Sequence, residues 1–224
     1  MIRGTYKILP YPIGRFPFRE VFDAHVRTTL HCHDLTCLNN WFPAQPVIDP
    51  TNDQSQAALM HLYTVDPFYH GADKGRFIQL FDAFVRWLQQ TQFHVSLIYQ
   101  RKPTLRTQLP NNLSVGTFHR DSEYGHPPEE WNIFVPLTDC RESATIHLES
   151  APDKGNYQPV NLAYGECLIF DSALRHGNVL NTTGRTRVSF DFRLILAHEY
   201  RGDSEQTTYT QQIPFKIGDY YAVL

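Results

Sequence analysis

The sequence of 224 residues contains no long apolar run, no large excess of charge and no closely spaced cysteine pair. Crossing a membrane takes about 18–20 consecutive apolar residues, so we expect no membrane partner. The formal net charge of −3 excludes a nucleic-acid binder that works through bulk positive charge. The first residues lack the apolar stretch and cleavage site of a secretory signal. We therefore expect a cytoplasmic protein.

The cysteines are too few and too scattered to form a disulfide framework. They are Cys32, Cys37, Cys140 and Cys167. The run HCHDLTC over 31–37 offers imidazoles and thiols, but a structural zinc site usually needs a second ligand pair at a set distance. The sequence has no such pair, so we interpret these residues as packed or surface side chains.

Hydrophobic residues make up 42 % of the chain, which is enough to bury a core, and the length suits one domain over 1–224. Residues 1–50 are rich in proline and aromatic side chains, and we expect residues 1–92 to be irregular or helical. A short helix is predicted over 53–63. A longer helix is predicted over 73–90, because its apolar residues recur at helical spacing and form one stripe.

Beyond residue 92 the sequence pattern changes to short runs rich in β-forming residues, separated by turn residues. Strands are predicted over 93–100, 105–109, 113–121, 131–137, 144–150, 166–172 and 187–196. Many short strands behind a helical segment are typical of a sandwich or jelly-roll barrel. We expect a jelly-roll core over 93–200, supported by the N-terminal helices, and a C-terminal extension over 201–224.

A candidate metal site begins with His119 and Asp121. If 113–121 is a strand, its alternation places both side chains on one face. His176 follows after about five strand-and-turn units of about ten residues, enough to return beside that strand. Two histidines and one carboxylate form the metal-ligand set of non-haem Fe(II) oxygenases. A His-x-Asp pair alone is weak, since composition predicts about 0.7 such pairs by chance.

Arg187 and Ser189 supply the context that the metal motif needs. On a strand both side chains point to one face, and a guanidinium with a hydroxyl suits a carboxylate ligand. The alternative is a solvated face on which Arg185, Arg187, Asp191 and Arg193 pair with one another. Beside the candidate metal ligands, the carboxylate-binding interpretation is favoured.

Two stretches together resemble a known family: LRTQLPNNLSVGTFHRDSEYGHPPEEWNIFVPL and GECLIFDSALRHGNVLNTTGRTRVSFDFRLI. They resemble the Fe(II)/2-oxoglutarate-dependent dioxygenases, most of all the StrG-type proteins of streptomycin biosynthesis, which are related to the phytanoyl-CoA dioxygenases. The resemblance covers about residues 95–200. It implies a mainly β, cupin-like double-stranded β-helix with Fe(II) on His119, Asp121 and His176. It also implies that Arg187 and Ser189 hold the C5 carboxylate of 2-oxoglutarate, with O2 as the oxidant.

Other side chains are weaker candidates. Asn132, Gln108 or Asn178 could bind 2-oxoglutarate, or they could satisfy backbone groups at strand ends and turns. Arg106 is a candidate for an anionic group of the substrate. Tyr124 and His126 either line the pocket rim or belong to a plain turn.

The resemblance implies an oxidoreductase, a dioxygenase that oxidises a small molecule and releases succinate and CO2. Hydroxylation of a biosynthetic intermediate, such as an amino acid or a sugar derivative, is the expected outcome. The alternative is a non-oxidative cupin-like isomerase or small-molecule binding protein. We expect residues 31–70 and the loop 122–130 to form the walls of the substrate pocket.

Overall fold

The computed structural model describes residues 2–41, 66–71, 73–114, 117–202, 205–208 and 211–224. Its helices are α1 (Phe18–Leu30), α2 (Asp66–His70) and α3 (Asp73–Leu88), the last continued by a π-helical turn over Gln89–Phe93. Short 3-10 helices cover Leu35–Trp41 and Asp121–Tyr124. The strands are β1 (Tyr6–Pro10), β2 (Leu97–Gln100), β3 (Thr104–Gln108), β4 (Trp131–Pro136), β5 (His147–Leu148), β6 (Gln158–Pro159), β7 (Glu166–Asp171), β8 (His176–Gly177), β9 (Arg187–Leu196) and β10 (Tyr221–Val223).

The strands form a large and a small antiparallel sheet. The large sheet has the order β1-β7-β4-β9-β2-β10, and β3 also pairs with β9. The small sheet has the order β6-β5-β8. Strand β9 is the longest and pairs with β4 along one edge and with β3 and β2 along the other. This arrangement makes β9 the central strand of the fold.

The helices cover the outer face of the large sheet. Helix α3 buries a stripe of apolar residues, and the helical spacing predicted over 73–90 is confirmed. Phe77 lies 5.4 Å, ring centre to ring centre, from Phe190 of β9, and Phe81 lies 4.8 Å from Phe192. Helix α1 adds Phe18, whose ring is 4.9 Å from Phe190. The helix predicted over 53–63 lies outside the described residues.

The space between the two sheets holds a second apolar cluster. Phe134, Leu168 and Phe170 of the large sheet face this interior, together with Ile146 and Leu148 from around the small sheet. The fold class predicted from the sequence, a mainly β jelly roll supported by helices, is confirmed. The interior between the sheets is where the candidate site lies.

The strand predicted over 113–121 is wrong. Asn111 and Ser114 adopt positive φ angles of 57° and 59°, which a strand does not accommodate. In the described part of this segment, only His119 makes a β-bridge, and Asp121 begins a 3-10 helix. The strand predicted over 144–150 is shorter in the structure and covers only His147–Leu148.

Both ends of the chain add strands that the sequence pattern did not predict. Strand β1, within the supposedly helical or irregular residues 1–92, pairs with β7. Strand β10, within the C-terminal extension, pairs with β2. These strands are short, and three of the five side chains of β1 are exposed, so they carry a weak hydrophobic signal. Their place in the sheet comes from tertiary pairing.

Among the described helices, none combines the length and the apolar character needed to span a membrane.

Phe77→Ala tests the packing of α3 on the sheet. Phe77 is fully buried against aromatic side chains of α1, α2 and β9. Its loss leaves a cavity, and we expect the free energy of unfolding to fall by about 3–5 kcal/mol. Gln79→Ala, at an exposed position of the same helix, is the control and should change it by less than about 0.5 kcal/mol. Urea denaturation measures both, and equal effects would contradict this packing.

Candidate metal centre

His119 and His176 are brought together by backbone pairing. The amide of each residue donates to the carbonyl of the other, with both N···O distances at 3.0 Å. Their ring centres lie 4.6 Å apart. The return of His176 beside His119, predicted from the spacing of strands, is therefore confirmed. A bridge joins them rather than two long strands.

The two imidazoles are oriented in the same way. His119 Nδ1 lies 2.8 Å from the carbonyl oxygen of Thr117, and His176 Nδ1 lies 3.1 Å from that of Leu174. A carbonyl only accepts a hydrogen bond, so each Nδ1 donates, and in a neutral imidazole this leaves the lone pair on Nε2. This support by a backbone carbonyl is common for histidines that bind a metal.

Asp121 completes the group. Its Oδ1 lies 3.6 Å from Nε2 of His119 and 3.6 Å from Nε2 of His176. One ligand atom from each of the three residues falls within 4.8 Å of the others. Among the described residues, no other group of His, Cys, Asp or Glu side chains converges in this way. The described residues of 31–37 are not part of such a group.

The charges of the cluster suit a cation. Burial lowers the pKa of His176 to about 4, so its imidazole is neutral at pH 7. Burial alone would raise the pKa of Asp121, but the Arg193 guanidinium and the neighbouring imidazoles outweigh it and hold this pKa well below its usual range. A neutral imidazole and an ionised carboxylate are the forms that bind metals.

Arg187 and Ser189 lie on the inner face of β9, as the period of two predicts, while Val188 and Phe190 face the helices. Arg187 is 2 % exposed, and its Nη1 donates to Oδ1 of Asn178 at 2.7 Å. Burial lowers the pKa of Arg187 to about 10, so the side chain stays cationic at pH 7. Asn178, two residues after His176, thus links the metal-binding segment to Arg187.

Several buried polar atoms on this inner face have no hydrogen-bond partner within the described part of the chain. They are Arg187 Nε, Ser189 Oγ, both amide atoms of Asn132, Arg193 Nε and Gln108 Oε1. Asn132 pairs in register with Arg193, and Gln108 pairs with Arg187. Unsatisfied buried groups are rare in folded proteins. Their concentration on one face indicates a polar ligand.

Gln108 and Arg106 already have protein partners. Gln108 Nε2 donates to the carbonyl oxygens of Asn112 and Val179 at 3.0 and 2.8 Å. Its remaining atom, Oε1, is an acceptor and cannot bind a carboxylate. Arg106 Nε donates to Asp191 Oδ1 at 2.8 Å. Both N–H groups of Gln108 are therefore used within the protein, and Arg106 is paired with Asp191.

Tyr124 and His126 have different surroundings. The ring of Tyr124 meets that of His119 edge to face at 4.9 Å, and Tyr124 is 43 % exposed. It therefore lies at the rim of the cluster. His126 instead turns toward the C-terminal extension: its Nδ1 is 2.8 Å from Glu130 Oε2 and its ring is 4.5 Å from that of Phe215.

Sequence reasoning missed two contributors. Arg193 is 7 % exposed and its Nη2 lies 3.4 Å from both carboxylate oxygens of Asp121. It shares the inner face with Arg187 by the same period of two, which was the available signal. Gly177 was also missed: a Cβ there would lie 3.0 Å from both Cα and N of Phe118.

Comparison with solved structures shows which known proteins share this fold. The chain has the fold of SnoN, a non-haem α-ketoglutarate-dependent epimerase from nogalamycin biosynthesis, with a TM-score of 0.52, 14 % identity and 86 % and 78 % of the two chains covered. It also matches apo EctD from S. alaskensis, with a TM-score of 0.52, 11 % identity and 96 % and 81 % covered. These likenesses confirm the predicted fold.

A sequence relative agrees with the resemblance drawn from the motifs. The chain is similar to the streptomycin biosynthesis protein StrG of Streptomyces griseus, at 38 % identity over 129 residues. The match covers 57 % of this chain and 61 % of StrG, so it spans about three fifths of the relative's length. No family model matches the chain. The predicted similarity to StrG-type proteins is confirmed.

Gly177→Ala tests how the two histidines are brought together. The added methyl group would press on the backbone of Phe118, next to His119, and should separate the paired segments. We expect Co(II) affinity to fall at least about tenfold, as when groups that support metal ligands are altered. Gly14→Ala is the control, because a Cβ there meets nothing within 4 Å. Titration with Co(II) measures both, and unchanged affinity in Gly177→Ala would contradict the bridge geometry.

Proposed function

We propose that this protein is a non-haem Fe(II)- and 2-oxoglutarate-dependent oxygenase. The observation that carries the proposal is the interior between the two sheets, which holds two complementary features. One is the oriented His119, Asp121 and His176 cluster. The other is a set of buried, unpartnered donors around Arg187. Similarity to StrG and to the fold of 2-oxoglutarate-dependent enzymes supports it.

The donor set fits iron. Two neutral imidazole nitrogens and one carboxylate oxygen form the protein part of an Fe(II) site and leave coordination positions open. His119 and His176 would bind through Nε2, because each Nδ1 is held by a carbonyl oxygen. Bound iron would supply the activation of O2 that couples oxidation of 2-oxoglutarate, to succinate and CO2, to oxidation of the substrate.

The unpartnered donors fit 2-oxoglutarate. This molecule offers carboxylate and keto oxygens, which only accept hydrogen bonds, and Arg187, Ser189 and Asn132 offer N–H and O–H groups. Arg187 would hold the C5 carboxylate together with Ser189. The hydrogen bond from Arg187 to Asn178 would fix the orientation of the guanidinium. Asn132, one strand away on β4, would contribute its amide to the same ligand. Gln108 would hold the loops around the site.

The apolar interior would keep water away from both ligands. Phe170 packs edge to face on His176 with ring centres 5.0 Å apart. The guanidinium carbon of Arg187 lies over the ring of Phe134, 5.8 Å from the ring centre. In such a low-dielectric setting, an arginine–carboxylate contact is stronger than in water.

We further propose that the substrate is a small molecule, such as an amino acid or sugar derivative, and that hydroxylation is the reaction. A cavity of about 290 Å³ lies between the loop 122–130 and the C-terminal segment. Its lining includes Ser122, next to Asp121, but none of His119, Asp121 and His176. The small-molecule proposal therefore rests on the similarity to StrG and not on this cavity. Of the pocket walls predicted over 31–70, residues 42–65 lie outside the described chain.

Anaerobic addition of Fe(II) and 2-oxoglutarate tests the proposed function. The protein should bind one Fe(II) per chain and show a metal-to-ligand absorption band only when 2-oxoglutarate is also present. His176→Ala should lose both, because two protein ligands hold a metal poorly. The control is His94→Ala, since His94 is not part of the cluster. A wild-type protein that binds Fe(II) but develops no band with 2-oxoglutarate would contradict the proposal.

Arg187→Ala tests the cosubstrate site separately. Loss of a buried, charge-assisted partner costs about 2–5 kcal/mol, so the Kd of 2-oxoglutarate should rise at least about tenfold while Fe(II) binding is largely retained. Arg185→Ala removes the same charge from an exposed position two residues earlier and should leave the Kd within about twofold. An unchanged Kd in Arg187→Ala would exclude this arginine from the site.

A further inference from the structure

A chain of alternating charges runs across the large sheet, partly exposed at Arg106 and Asp191 and buried at Arg193, and ends at the candidate metal ligand. Arg106 on β3 donates through Nε to Asp191 Oδ1 at 2.8 Å. Asp191 on β9 accepts at its other oxygen from Arg193 Nη1. Arg193 Nη2 lies 3.4 Å from each oxygen of Asp121. The three links connect β3, β9 and the loop that carries Asp121.

The guanidinium of Arg193 contacts two carboxylates at once. One terminal nitrogen contacts Asp191 and the other contacts Asp121. A planar, rigid fork can hold two carboxylates at a set distance and angle, which a lysine ammonium cannot do in the same way. The position of Asp121 is thereby tied to β9, the central strand, and not only to its own 3-10 helix.

Stability alone is a poor reason for this arrangement. Desolvation of a buried ion pair offsets much of its attraction, and apolar side chains of similar volume often serve the fold as well. Arg193 is 7 % exposed and Asp121 is 2 % exposed, so the cost of desolvation applies to both. The chain of charges instead ends on the one carboxylate of the metal cluster.

We propose that Arg193 is the positioning residue for Asp121: its guanidinium contacts both carboxylate oxygens and fixes the orientation in which Oδ1 faces the two imidazoles. Oδ1 lies 3.6 Å from both imidazole Nε2 atoms, which makes it the oxygen directed at the metal. Arg193 would restrain this carboxylate and serve as the counter-ion of Asp121 whenever the metal is absent. Asp191 and Arg106 would fix the orientation of the guanidinium. This inference rests on the proposed metal site.

The test is Co(II) titration, with the absorption spectrum of the bound ion as a second readout. In Arg193→Met, the Asp121 carboxylate loses its contact with the guanidinium and is free to rotate. We expect Co(II) affinity to fall at least about tenfold, in the range found when outer partners of metal ligands are removed. The spectrum should also change, because a carboxylate bound through two oxygens alters the coordination number. Arg185→Met removes an exposed arginine and is the control.

Arg193→Lys keeps the inference testable if the methionine variant does not fold. The lysine ammonium retains the positive charge but cannot contact Asp191 and Asp121 through two fixed nitrogens. The Co(II) affinity should therefore lie between that of Arg193→Met and that of the wild type, while the Co(II) spectrum stays altered. Wild-type affinity and spectrum in either variant, or tighter binding in Arg193→Met, would overturn the positioning role. A wild-type protein that binds no Co(II) at the His119, Asp121 and His176 cluster would instead overturn the proposed function itself.

Discussion

The alternation of strand β9 is the constraint on which both halves of the molecule depend. One face of the strand is apolar and packs under α1 and α3, with Phe190 and Phe192 in ring contact with the helices. The other face carries Arg187, Ser189, Asp191 and Arg193 into the interior between the sheets. A shift of register by one residue would exchange the two faces. Burial of the aromatic face therefore fixes the polar face where the candidate site needs it.

The polar face is arranged by charge as well as by register. Asp191 and Arg193 connect to Asp121, while Arg187 and Ser189 have donors without partners among the described residues. One part of the strand thus contacts the His119, Asp121 and His176 cluster, and the other part carries the unpartnered donors. In the proposed function, one rigid strand would set the separation between the iron and the far carboxylate of 2-oxoglutarate.

Local sequence pattern predicted much of this arrangement, because the residues concerned obey simple periods. The stripe of α3 and the faces of β9 follow directly from spacings of 3.6 and 2. The grouping of His119 with Asp121 was also expected, but for a wrong reason: a 3-10 helix and not a strand brings the carboxylate inward. Turn residues with positive φ, such as Ser114, interrupt the strand. Their local hydrogen bonding outweighs the β-rich composition.

The role of Arg193 could not be predicted from pattern, since an arginine beside an aspartate on a strand is equally compatible with a solvated pair. Burial decides between the two: Arg193 is 7 % exposed, and the C-terminal extension packs against the same end of β9. Phe215 and Tyr221 of that extension pack with Ile195, two residues past Arg193. Strand β10 lies far along the chain from its partner β2. Such long-range pairing leaves little trace in a single sequence.

The central claim is that the metal cluster and the Arg187 region bind one shared ligand. The most direct test measures the affinity for 2-oxoglutarate anaerobically by calorimetry, with and without Mn(II) in place of iron. The account predicts that Mn(II) tightens 2-oxoglutarate binding at least about tenfold, and that 2-oxoglutarate tightens Mn(II) binding by the same factor, as linkage requires. An affinity for 2-oxoglutarate that is the same with and without metal would contradict the account.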